Sequence, residues 1–327
     1  MQSSPVIQRT TRLGASDLEV HRIGLGAWPM AGISSLGVTD ESSIDTIRQA
    51  LELGIDHIDT AYAYGIDGRS DRVIARALQG AARKVVIASK VGAKLDDRGV
   101  WTNDARPEAM IQQASEIRDR LGVETIDLLY LHAPDPNVPL LESADALQSI
   151  LDRGWARWAG VSNVNLGQLH AFHGRCPVVA LQTYFNMFQQ DSVQETRDFC
   201  LQNSISIVAY WVLMKGMLAG RMERDHQLDP HDRRRNYPIY QGSQWQTAQN
   251  LLDHLRGLAS TKGCSVAQIV LAWTLLQPGI SVALVGAKRA EQIQETASSS
   301  DLTIDSKDIH AIDAWIAECK AQGEWTR

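Results

Sequence analysis

A chain of 327 residues, 44% hydrophobic and 21% charged with a formal net charge of −6, has the balance of a soluble globular protein and argues against nucleic acid or an anionic membrane surface as its partner. No apolar run of about 18 residues is present to span a membrane, and no apolar leader occupies Met1–Arg12. The cysteines, Cys176, Cys200, Cys264 and Cys319, form no Cys-x-x-Cys pair, so the composition points to a reducing compartment, with the cytoplasm as the expected location.

Along the chain one pattern recurs: a short run rich in Val, Ile and Leu, a turn, then a stretch of helical period. The first apolar run is Arg22–Trp28, followed by a helix over Asp40–Leu53 with capping side chains at Thr39-Asp40-Glu41. The second, His57–Ala61, leads through a loop with Tyr62 and Tyr64 into a helix over Ser70–Leu78, with Ser70-Asp71 as its expected caps. Then come strand Val85–Lys90 and helix Pro107–Leu121, strand Ile126–His132 and helix Leu140–Arg153, strand Trp158–Asn163 and helix Gly167–His173. Strand Val178–Tyr184 precedes helix Ser192–Asn203. After strand Ile205–Val212 the chain enters a polar loop, Met214–Gln241, holding the run Arg233 to Arg235. Helices over Gln244–Lys262 and Val266–Gln277, strand Ile280–Gly286, a helix over Ala290–Ser298 and a last amphipathic stretch, Asp305–Lys320, complete it. Gly54, Gly122 and Gly154 fall where helices should stop.

Strands alternating with helices predict parallel β-structure, and continuous apolar runs predict strands covered on both faces. About eight units fit an α/β protein with one (β/α)8 TIM barrel over residues 1–327, carrying an extra C-terminal helix and a long loop after strand seven. The rival is an open doubly wound sheet. Against it, "GLGAW" runs into a loop, and no Gly-x-Gly-x-x-Gly enters a helix.

A barrel of this kind places its chemistry at the C-terminal ends of its strands. Polar groups stand there: Asp59, Lys90, His132, Ser162-Asn163, Gln182 and Tyr210. Each alone has a plain structural explanation as a cap, a scaffold histidine or a packed tyrosine. Together on one rim they make a proton-donor site for carbonyl chemistry, with an acid–lysine ion pair, a lysine lowering the pKa of a nearby phenol, and a histidine to orient an oxygen. Periodicity does not choose between Tyr62 and Tyr64, because strand alternation ends in the loop. A metal alternative uses His57 and Asp59, two apart on one strand face, with His132, but it sets Lys90 beside the metal.

These residues, in this order, resemble the aldo-keto reductase family: "DTAYAYG", "GRSDRVIARAL", "IASKVG", "LLYLHAPDP", "WAGVSN", "IVAYWVLMKGMLAGR" and "LVGAKRAEQIQET" all look like its segments, over roughly Leu13 to Ile316. The resemblance implies an NADP(H)-dependent oxidoreductase that passes a hydride to an aldehyde, ketone or sugar carbonyl, or the reverse. Tyr64 is then the proton donor, tuned by Lys90 and Asp59, with His132 in the proton relay. It assigns cofactor contacts to Gly26, Ala27, Trp28, Asp59, Ser162, Asn163, Gln182, Tyr210, Trp211, Leu213, Lys215 and Gly216, and at the adenosine end to Gly286, Lys288, Gln292, Glu295 and Thr296. It also likens the loop around Asp232-Arg233 to one that closes over the cofactor. The pocket walls are Trp28, Tyr62, Trp101 and the C-terminal segment, and no metal is implied.

The sequence departs from the family pattern at Trp211-Val212, where Ser-Pro is frequent, at Thr296, where an asparagine is common, and in the longer "GIDGRS" loop. Lys288 and Arg289 precede a helix N-terminus, a position that favours an anionic ligand, so the expected cofactor is NADP(H) in preference to NAD(H). A non-catalytic barrel that senses the nicotinamide cofactor is the alternative function. The partner is a small carbonyl or alcohol substrate, with no nucleic acid or membrane partner and a monomer as the default state.

Overall fold

The structure is a computed structural model and describes residues 7–33, 36–81, 84–96, 99–323 and 325. Eight parallel strands close into a barrel in chain order. They are β1 (Ile23–Gly26), β2 (His57–Asp59), β3 (Val86–Val91), β4 (Ile126–Leu131), β5 (Ala156–Ser162), β6 (Ala180–Tyr184), β7 (Ser206–Tyr210) and β8 (Ile280–Gly286). The outer ring comprises α1 (Asp40–Glu52), α2 (Arg69–Leu78), α3 (Pro107–Leu121), α4 (Leu140–Asp152), α5 (Leu166–Arg175), α6 (Asp191–Gln202), α7 (Gly242–Lys262), α8 (Val266–Leu276) and α9 (Ala290–Ala297). A further helix, α10 (Ser306–Lys320), packs on α7. The (β/α)8 TIM barrel read from the alternating runs is therefore the fold. Among the described residues no helix is long and apolar enough to cross a membrane.

Local chemistry sets the helix ends. Thr39 caps α1, accepting from the Ser42 amide while Ser42 answers the Thr39 amide, so two orphan donors are satisfied reciprocally. Asn165 with Gln168 and Ser265 with Gln268 repeat the device at α5 and α8. The expectation for α2 is corrected. Its N-cap is Gly68, in the left-handed region at φ 66°, with no side-chain cap, while Ser70 and Asp71 turn inward toward β2.

Two hairpins escaped the sequence reading. One pairs Thr10–Arg12 with Glu19–His21 and precedes β1; the other pairs Ala93–Leu95 with Trp101–Asn103 after β3. Each strand has three residues, too few to show a period. The first hairpin plugs the N-terminal end of the barrel. Leu13, Leu18 and Val20 are fully buried and join the inward residues Val86, Ala88, Leu128, Tyr130, Ala180, Val208, Val282 and Leu284 in one cluster. Burying each such aliphatic side chain contributes roughly 1.5–3 kcal/mol. Within the barrel, Gly160 on β5 sits opposite Tyr130 on β4, and a Cβ there would lie 2.3 Å from the tyrosine ring. The glycine thus makes room for the largest inward side chain.

Candidate active site

The strand ends deliver their polar groups to one rim. Lys90, almost wholly buried on β3, spends its three donors on three oxygens. It donates to Asp59 Oδ1 at 2.6 Å, to the Thr60 carbonyl at 2.8 Å and, more loosely, to Tyr64 Oη at 3.4 Å. Asp59 is equally buried, and its second oxygen accepts from Gln182 Nε2 at 2.7 Å. The ion pair is closed to water and its acceptors are filled, the condition under which a buried pair persists.

Around Tyr64 stands an aromatic cup. The Trp28 ring meets it edge-on with centroids 5.1 Å apart, the His132 ring lies 5.9 Å away, and Trp101 packs edge-on against His132 at 4.7 Å. Trp101 remains 40% exposed, so one face of the cup is open to an incoming molecule. It reaches this place because the second hairpin folds back over the rim, where Asn103 donates to the Pro134 carbonyl.

Two electrostatic consequences follow. The first corrects the sequence expectation that Lys90 would lower the phenol pKa. Burial and the Asp59 carboxylate instead hold Tyr64 well above the ordinary phenol range. The lysine charge is already neutralised by Asp59 at 2.6 Å, so little of its field is left for a hydroxyl at 3.4 Å. Tyr64 is therefore a protonated phenol across the neutral range. Second, burial and then the Lys90 ammonium push His132 well below the ordinary imidazole value, so its ring is neutral. Its Nδ1 is buried without a hydrogen-bond partner among the described residues.

On the opposite side of the mouth, Tyr210 Oη donates to Asn163 Oδ1 at 2.7 Å, and Asn163 Nδ2 donates to the His132 carbonyl at 2.9 Å and to Ser162 Oγ at 3.1 Å. Asn163 achieves this from the left-handed region, at φ 58°, which asparagine tolerates better than most side chains. Ser162, Asn163 and Tyr210 thus form one connected set of amide and hydroxyls suited to a carboxamide, while the neighbouring Gln182 accepts from the Asn163 backbone amide through its backbone carbonyl and turns its side-chain amide to Asp59. Past Tyr210 the backbone is unusual, with Trp211 at φ 63°, Lys215 at φ 54° and Gly216 at φ 98°. Tyr237 from the long loop packs on Trp211, and the Lys215 ammonium lies 4.4 Å from the Tyr237 ring centre. Of the three arginines only Arg234 turns in. It pairs with Asp232 at 2.7 Å and donates to the Lys215 carbonyl at 3.2 Å. Arg233 and Arg235 are exposed.

Lys288, after β8, is half-buried near Arg234 and Arg289. Burial first, then the Arg234 charge, lowers its pKa, and no carboxylate stands within ion-pair distance of it among the described residues. A cationic corner of this kind fits an anionic group. Gln292 accepts from the Lys288 amide at 2.8 Å, Thr296 folds its hydroxyl onto the Gln292 carbonyl, and Glu295 pairs with Arg221. Gly26 and Gly286 are paired at the C-terminal ends of β1 and β8, Ala27 follows β1, and Leu213 lies three residues after β7.

Tyr62 is not brought to the group. Its hydroxyl donates to Glu116 at 3.0 Å and its ring lies under Arg120, both on α3 in the outer ring. Nor do His57, Asp59 and His132 assemble as ligands. His57 is sealed in the barrel interior, Asp59 has both oxygens occupied, and no metal-holding group of three His, Cys, Asp or Glu exists among the described residues. The sequence reading did not single out Thr60, Asp71, Tyr237 or Arg234 for these contacts. Thr60 gave one local signal, its position directly after Asp59.

Residues 22–317 match the model of the Aldo/keto reductase family. The chain belongs to this family. It is 31% identical over 308 residues to the aldo-keto reductase YhdN of Bacillus subtilis (strain 168), a match covering 92% of each protein. It is also 31% identical over 302 residues to the uncharacterized oxidoreductase Rv2298 of Mycobacterium tuberculosis, covering 90% of this chain and 88% of the relative. Among solved structures, the glycerol dehydrogenase AKR11B4 from Gluconobacter oxydans superposes with a TM-score of 0.88 at 29% identity, covering 97% of this chain and 98% of that one. The holo form of AKR11C1 from Bacillus halodurans shares the fold at a TM-score of 0.76 and 20% identity, with 98% coverage of both chains. As a family member the protein is an oxidoreductase of small carbonyl compounds, a class that works with a nicotinamide cofactor.

Proposed function

We propose that this oxidoreductase reduces an aldehyde, ketone or sugar carbonyl with NADPH, with Tyr64 as the proton donor. The observation that carries this reading is the Lys90 ammonium bound at once to Asp59, the Thr60 carbonyl and the Tyr64 hydroxyl, with neutral His132 beside the phenol. A nicotinamide cofactor, when bound, would supply the hydride that the carbonyl carbon takes up. Tyr64 gives its proton to the carbonyl oxygen, so that hydride plus proton yield the alcohol. Lys90 lies against the phenolate that this leaves, and Asp59 holds the lysine charged. Neutral His132 contributes an N–H to position the oxygen, and the rim aromatics exclude water.

Ser162, Asn163 and Gln182 would hold the carboxamide, with the Tyr210 ring against the nicotinamide. Lys288 favours the 2′-phosphate of NADPH, a dianion near pH 7 that NADH lacks. Polyols belong in the substrate set, because one structural relative is a glycerol dehydrogenase. NADPH consumption over a panel of aldehydes, ketones, sugars and polyols tests the reading, with Tyr64→Phe as the control. Equal rates for wild type and Tyr64→Phe on good aldehydes would remove the tyrosine from the mechanism. A kcat/KM for NADH at or above that for NADPH would remove the cofactor preference.

A further inference from the structure

Behind the lysine lies a second layer of buried polar groups. Thr60 presents its carbonyl to Lys90 Nζ at 2.8 Å and its hydroxyl to Asp71 Oδ1, also at 2.8 Å. Ser70 Oγ completes the contact at 2.8 Å from Thr60 Oγ1. Thr60 Oγ1 donates its one proton to Asp71 Oδ1, which leaves the Ser70 hydroxyl to donate to Thr60, so the hydrogen bonds run from Ser70 to Thr60 to Asp71. Thr60, Ser70 and Asp71 are all fully buried, and Asp71 Oδ2 has no hydrogen-bond partner among the described residues.

The placement is built, not incidental. Asp71 lies in the first turn of α2, where the helix dipole favours an acid, but it points at β2 and caps nothing. Gly68, just before the helix, lets Arg120 of α3 lie against the loop, since a Cβ at that position would come within 2.5 Å of Arg120 Cδ. Arg120 is held by Glu116 at 2.7 Å and, with Arg72 and Lys90, favours the Asp71 charge. Burial outweighs all three and raises Asp71 to about 7. A half-satisfied buried acid costs stability, whereas an apolar residue of similar shape would not. What it secures is the peptide that supplies one of the three acceptors of Lys90.

We propose that Asp71 is a positioning residue for Lys90: by holding the Thr60 side chain it fixes the carbonyl that aims the lysine ammonium at Asp59 and Tyr64. This rests on the proposed function, because it concerns the aim of Lys90 in proton transfer. If Thr60 is released, Lys90 loses one of its three acceptors and its hold on the tyrosine oxygen weakens, so the phenolate becomes harder to form.

The test compares wild type, Thr60→Val, Asp71→Ala and Asp71→Asn, with Tyr64→Phe alongside. Three quantities are read: kcat for carbonyl reduction, the pH at which alcohol oxidation rises, and the NADPH dissociation constant from fluorescence quenching. Thr60→Val and Asp71→Ala should lower kcat by about tenfold and move the alkaline rise of oxidation to higher pH, with the NADPH constant within about twofold of wild type. Asp71→Asn keeps an acceptor for Thr60 and should recover kcat to within about twofold. An unchanged kcat and pH profile in Thr60→Val overturns the proposal whatever the melting temperature does, since a purely structural staple would leave both in place. An Asp71→Asn as slow as Asp71→Ala overturns it as well. If Asp71→Ala does not fold, the isosteric Thr60→Val carries the same readouts. A wild type that turns over no carbonyl overturns the functional reading and this one together; turnover with unaffected variants overturns only this one.

Discussion

The same eight strands end in opposite chemistry. At their N-terminal ends the barrel is closed by the hairpin, with Leu13, Leu18 and Val20 packed onto Leu128, Val208 and Val282. At their C-terminal ends the inward positions become Asp59, Lys90, His132 and Gln182, each buried and most of them hydrogen-bonded to one another. The lower end is held by apolar burial, which is non-directional and tolerates volume-conserving exchange. The upper end depends on direction, since Lys90 has three donors and each already has an oxygen. Damage at one end should therefore be read in stability, and damage at the other in rate.

The sharpest break of this contrast is at Tyr64. Tyr64→Phe should lower carbonyl reduction by roughly 10²–10⁴-fold, the range of a positioned general acid, while the melting temperature stays near that of wild type. Stopped-flow or steady-state NADPH oxidation, with thermal unfolding in parallel, measures both. At the other end, Leu18→Ala should cost about 2–5 kcal/mol of stability by leaving a cavity under the barrel. Its kcat well below the unfolding transition should stay within about twofold of wild type. A loss of rate there without a loss of stability would erase the division between the two ends.

A smaller effect separates the two sides of the upper end. Lys288→Ala should reduce kcat/KM for NADPH by about tenfold and leave NADH almost unaffected, the scale of one charge-assisted contact to phosphate. The pH dependence sharpens the role of Tyr64. With the phenol held well above its ordinary range, it is protonated at neutral pH and ready to donate. Reduction should be flat through the neutral range, and alcohol oxidation, which on the proposed mechanism needs the phenolate, should rise about tenfold per pH unit into the alkaline range.

The smallest effect concerns Asp71. Its folded-state pKa of about 7 lies above the unfolded carboxylate value, so the folded chain binds a proton that the unfolded chain has released. Stability therefore falls as pH rises from about 4 toward 7. Asp71→Asn removes that slope. Its melting temperature relative to wild type should climb by a few degrees between about pH 5 and 8, as differential scanning calorimetry would read.

Much of this was legible in the chain. Continuous Val, Ile and Leu runs marked all eight strands, because a strand covered on both faces carries no polar alternation. Asp59, Lys90 and His132 stood out as polar residues closing apolar runs, and the structure brings their side chains to one rim. The hairpins did not register, since three-residue strands carry no period. Ser70 and Asp71 read as caps from local preference, yet α2 starts on Gly68 and both side chains are drawn to Thr60. Tyr62 and Tyr64 looked equivalent, because a loop has no alternation to orient them.

What the sequence determined by itself is the order of elements and the kinds of groups at the strand ends, since both follow from local hydrophobic period and residue chemistry. What only the tertiary structure decided is direction. It sent Tyr62 outward to Glu116 and Tyr64 inward to Lys90, split the arginine run at Arg234, and reversed the expected effect of Lys90 on the phenol. Each of these depends on which charges end up within a few ångströms of one another out of water, and that is fixed only when distant segments meet.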